Sequence, residues 1–163
     1  MDQVGGYLAH TDRVLAAALA VFPDDGEPVT SVGLGGQWPQ PSPPGGASAL
    51  NGATEVAATG YQKVGARIAA LTAAIDESAA TALEDGQHAR AAATGIRETA
   101  RTRAAGITPE TDTPEGMVLL VSSMDERLAA MQQHIAATRE QMRDHAERVR
   151  QQAVELASVR ANS

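Results

Sequence analysis

Four histidines, His10, His88, His134 and His145, are the residues of this chain best suited to hold a metal or move a proton. Their spacing argues against both roles. No HExxH occurs, and no histidine stands three or four residues from another, the interval that brings two imidazoles onto one helix face. His134 and His145 would share a helix face, yet about 16 Å of helix would separate them, too far for one metal. Cysteine is absent, which excludes disulfides, thiolate zinc sites and cysteine nucleophiles. The acidic pairs Asp24-Asp25, Asp76-Glu77, Glu84-Asp85 and Asp125-Glu126 are adjacent. Helix neighbours point about 100° apart, so such pairs do not converge on a substrate and read as solvated surface. Gly33-Leu34-Gly35-Gly36 lacks the spacing of a phosphate loop, and the only lysine is Lys63. Ser48, in Gly46-Ala47-Ser48-Ala49-Leu50, lacks the second glycine of a GxSxG elbow. These residues point to no enzyme, no metal and no cofactor.

The charge balance narrows the partners. The chain has 13 basic and 20 acidic residues, net −7. Nucleic acid and anionic membranes both attract clustered Lys/Arg, so neither is an expected partner. Residues 1–50 hold five acids and one base; residues 51–105 hold six of each; residues 106–163 hold nine acids and six bases. Where bases occur they alternate with acids, the pattern of solvated helix faces. The longest uncharged apolar run, Val14 to Phe22, is nine residues. A membrane span takes about 20, so none is expected. Asp2, His10, Asp12 and Arg13 precede that run, which is not the positive flank of a Sec signal. Localisation stays open, with export by a signal-less route among the possibilities.

The elements follow from composition and period. Alanine supplies 33 residues, while Tyr7, Phe22, Trp38 and Tyr61 are the only aromatics. A wide core needs bulky fillers, so narrow helix-on-helix packing is expected. An N-terminal helix, within residues 1–26, is predicted from Val4, Leu8, Thr11, Leu15, Ala18/Leu19 and Phe22 at helical spacing, stopped by Pro23-Asp24-Asp25-Gly26. Residues 27–52 hold Pro28, Pro39, Pro41, Pro43 and Pro44 with six glycines, and read as an extended linker. Trp38 stands alone there, and a lone indole in a polar stretch usually docks onto something.

Residues 53–163 read as a long antiparallel two-helix hairpin. Its second arm carries a heptad seam of Met117, Val121, Met124, Leu128, Met131, Ile135, Thr138, Met142, His145, Val149, Gln152, Leu156 and Val159, of which ten are apolar. His145 on that seam reads as a polar residue tolerated in a long coiled coil. The first arm carries a weaker seam: Val64, Ile68, Leu71, Ile75, Ser78, Ala82, Asp85, Ala89, Ala92, Ile96 and Thr99. Gly106 to Glu115 forms the loop between them, and Thr113-Pro114-Glu115-Gly116 reads as N-cap, proline at N1 and acid in the first turn. Facing positions would have numbers summing to about 220 if the arms pair around that loop. Two helices leave a stripe partly wet, so a third partner is expected: the N-terminal helix, another copy or another protein.

The chain resembles a family at this point. The Thr113-Pro114-Glu115-Gly116 cap opens a Met117-Val118-Leu119-Leu120 helix, an alanine-rich helix precedes it, and before that stands Leu34-Gly35-Gly36-Gln37-Trp38-Pro39. Together these resemble mycobacterial helical domains associated with type VII (ESX) secretion, similar to those preceding NlpC/P60 cell-wall hydrolase modules. The resemblance implies an all-α protein that works by helix packing in the actinobacterial envelope. It departs from the WXG100 pattern, since Trp38 is followed by Pro39-Gln40, and the Tyr-x-x-x-Asp/Glu signal is absent: Thr11 follows Tyr7 and Gly65 follows Tyr61. The expected function is thus a non-catalytic interaction or scaffold protein, binding a protein partner or itself through the seam. The alternative is a targeting or regulatory domain of a peptidoglycan hydrolase. Leu34, Trp38, Met117, Met124, Met131 and Met142 are the expected partner-facing residues.

Overall fold

The computed structural model describes residues 2–22 and 48–162, and the described chain is all-α. Helix α1 spans Asp2–Leu19, α2 spans Ser48–Ile107 and α3 spans Pro114–Ala161, with a single 3-10 turn at Thr108–Glu110 between α2 and α3. The linker predicted at 27–52 is shorter at its C-terminal end, because Ser48 to Gly52 already belong to α2. Leu34 and Trp38 lie outside the described residues.

Contacts divide the chain into two compact units, Met1–Glu27 with Ala82–Asp144 and Pro28–Thr81 with His145–Ser163. Each unit takes a part of α2 and a part of α3. Helix α1 shares a core with the middle of the chain, because it supplies the third apolar surface that two long helices lack.

In the three-helix unit the core consists of Leu15, Phe22, Ala89, Ala93, Ala100, Ala104, Leu120, Met124 and Met131. Val4, Tyr7, Leu8, Ala18 and Leu19 of α1 pack against it, which is the face the sequence period predicts. Alanines on α2 keep the backbones close, while Leu120, Met124 and Met131 of α3 fill the space opposite.

The seams are displaced where α1 docks. Ala92, Thr99 and Val121 were expected inside and are exposed; Ala93, Ala100 and Leu120 are buried instead. A heptad seam describes a helix with one neighbour. With two neighbours, the covered face widens and its centre moves round the helix toward the newcomer.

The connection between α2 and α3 is tighter than expected. Thr113 caps α3 as predicted, its Oγ1 accepting from the Gly116 amide at 3.0 Å. The Thr113 amide donates to the Glu110 carbonyl at 3.1 Å, folding the turn back under the new helix. Gly116 is required by this fold-back, since a Cβ there would collide with the Glu110 backbone.

In the two-helix unit Ile68, His145 and Leu156 are the buried positions among the described residues. Arg67 reaches Glu155 at 2.7 Å and Ser78 reaches Gln152 at 3.2 Å, so the segments meet in opposite chain order. The first contact is close to the expected register; the second lies further off, across a long glutamine side chain.

Candidate interaction surface

Helix α1 is held by an ion-pair clasp. Asp12 accepts from Arg97 through both carboxylate oxygens, each at 2.8 Å. Arg101 adds bonds of 2.9 and 3.2 Å to the same oxygens and also reaches Glu98 at 3.0 Å. The bidentate fork of Arg97 and then that of Arg101 hold the Asp12 carboxyl far below the usual carboxylate range, and Asp12 in turn raises both guanidiniums. Sequence reasoning did not find this clasp. Its members stand 85 and 89 residues apart and carry no local motif.

The end of α1 is fastened by aromatic packing. Phe22 is buried and stacks on the His134 ring, with centroids 5.4 Å apart. His134 Nε2 donates to the Ala89 carbonyl at 2.7 Å, which places the proton on that nitrogen because a carbonyl can only accept. Arg90 donates to the Phe22 carbonyl at 3.1 Å, where α1 has run out of helical partners. His134 therefore works as a structural group.

Two hollows border α1. One, of about 340 Å³, is lined largely by Leu8, Leu15, Ala100, Ala104 and Met124, with Asp12 and Arg101 among the lining residues. The other, of about 240 Å³, lies among Phe22, Ile135, Thr138, Arg139 and Met142. The first is mainly aliphatic, and the second sets apolar Val21, Phe22, Ile135 and Met142 beside Thr138 and Arg139. The charged groups of the first are saturated by each other. Among the described residues, no group of three or more His, Asp or Glu side chains could hold a metal ion, and no helix is long and apolar enough to cross a membrane.

Two of the four methionines expected to face a partner are enclosed within the chain itself. Met124 and Met131 are 2% exposed, inside the core beneath α1, while Met117 and Met142 are half-buried. Where α3 faces two other helices, Met124 and Met131 have little left to offer a partner.

Three of the exposed large apolar residues lie close together on the outer face of the same helix. Val118 is 66% exposed, Leu119 50% and Val121 38%. Pro114, Glu115, Val118, Leu119 and Ser122 line one shallow groove at the start of α3. The helix beneath is anchored by Leu120 and Met124 and by the Thr113 cap, so the groove sits on a firm base. Its signal in the sequence is the pair of aliphatics at 118 and 119, which fall off the heptad seam. No protein-family model, curated protein or solved structure matches this chain.

Proposed function

We propose that this chain is a non-catalytic helical interaction or scaffold protein, acting by helix packing in the actinobacterial envelope or type VII secretion setting. The observation that carries the interaction reading is the pair Val118 and Leu119, held out to solvent on a well-anchored helix next to a groove. Scattered apolar residues on a surface need no explanation, but contiguous large aliphatics on a firm support mark contact sites. The saturated Asp12 clasp and the largely aliphatic lining of the hollow beside it support a structural reading of the interior. The setting rests on the likeness of the Thr113–Gly116 cap, the helix it opens and the alanine-rich helix before it to ESX-associated domains.

Site-specific photo-cross-linking tests the reading. A photoreactive residue at position 119, introduced into the full chain in its native cells, should give discrete protein adducts. The same residue at exposed position 87 should give none. Equal labelling from both positions, or none from position 119, would defeat the proposal.

A further inference from the structure

We infer that the hollow of about 340 Å³ bordered by α1, α2 and α3 is a binding site for a small neutral aliphatic alcohol. The inference is separate from the Val118–Leu119 surface and stands or falls without it.

The walls set the body of the guest. Leu15, Ala100, Ala104 and Met124 line the hollow and are themselves buried, so a carbon chain seated against them is drawn out of water. The space is there because the apolar groups that α2 contributes are alanines, whose side chains stop at Cβ. A dry cavity of about 150 Å³ takes benzene, so this hollow has room for a chain of about six carbons and a polar end. It lies at the lower end of the range of ligand pockets, about 300–1,000 Å³. Arg101 and Ala105 are exposed at its rim, which gives a guest a way in.

The polar end is set by Thr11. This residue is 3% exposed and lines the hollow, and its hydroxyl makes no hydrogen bond with any described residue. Thr72, Thr108 and Thr138, by contrast, each return the hydroxyl proton to the carbonyl four residues back, at 2.9, 2.6 and 2.9 Å. A buried hydroxyl without a partner is costly, and a guest oxygen that accepts from it recovers the cost. Thr108 also lines the hollow. Its proton is spent on the Ala104 carbonyl, so its oxygen is left to accept. An alcohol both accepts and donates, which suits the two threonines together.

The charged lining selects against ions. Asp12 and Arg101 border the hollow, yet the Asp12 carboxylate is held by two guanidiniums and Arg101 also engages Glu98. Two carboxylates and two guanidiniums cancel. A carboxylate or ammonium guest would lose hydration there without meeting a free opposite charge.

Titration of 1-hexanol into the full chain, read by the NMR shift of the Met124 methyl group, tests this. The shift should saturate. Sodium hexanoate and protonated hexylamine, of the same chain length, should bind about tenfold or more weakly. Thr11→Val keeps the shape of the side chain and should weaken hexanol binding about threefold to tenfold, the worth of one hydrogen bond. Ala104→Leu fills the hollow and should abolish the shift; if that variant fails to fold, Thr11→Val still decides. A wild-type shift that grows without saturating, unchanged affinity in Thr11→Val, binding retained by a folded Ala104→Leu, or equal binding of all three probes would overturn the inference.

Discussion

Among the described residues, the three-helix unit buries nine apolar side chains in one cluster, whereas the two-helix unit buries only Ile68 and Leu156 among apolar residues. The two-helix unit has the better heptad fillers, with Val64, Leu71, Ile75, Val149 and Val159, yet these remain half-buried. The three-helix unit makes its core partly from alanine. The number of neighbours decides burial more than the size of the side chains does. A pair of helices shields one stripe; a third helix closes the groove between them and takes even small residues out of water.

The largest break in this contrast should come from Leu120→Ala. Leu120 is fully buried, and its truncation should cost about 2–5 kcal/mol, seen as lost hydrogen-exchange protection across Ala82–Asp144. Leu156→Ala in the two-helix unit should cost less, because a site between two helices has fewer neighbours to lose than one beneath three. Next comes Gly116→Ala, which forces a Cβ into the Glu110 carbonyl; denaturant titration should show a loss of about 1–3 kcal/mol.

Asp12→Asn weakens the clasp without emptying the core. Asp12 is 34% exposed, so solvent screening limits the loss to about 1 kcal/mol, smaller still in high salt. Its folded pKa lies below its unfolded value, so the clasp contributes fully above about pH 4 and fades as pH falls toward the depressed folded value. Thermal melts of wild type and variant should therefore differ by a constant amount from pH 5 to 9 and converge in acid. The smallest effect belongs to Arg67→Ala. Its ion pair with Glu155 is exposed on both sides, and the change should be under about 0.5 kcal/mol by denaturant titration.

Much of the local structure was legible. The period of Val4 to Phe22 gave the buried face of α1, Thr113 announced the start of α3, and the long seams of α2 and α3 located most of the half-buried positions. The candidate surface was less so. Val118 and Leu119 stood outside the seam, and attention to methionine placed the contact at Met124 and Met131, which the core absorbs. The clasp could not be read, because Asp12 and Arg101 look like any solvated charges until the chain brings them together.

The sequence by itself determined that this protein is helical, where α3 is capped, and broadly which side of each helix is apolar, because those properties depend on residues three or four apart. Only the tertiary structure decided that α1 belongs with Ala82–Asp144, that Ala93 and Leu120 replace Ala92 and Val121 in the core, and that the charges of α1 find Arg97 and Arg101. Those outcomes depend on which surfaces cover one another across more than 80 residues of chain, and no local period encodes that.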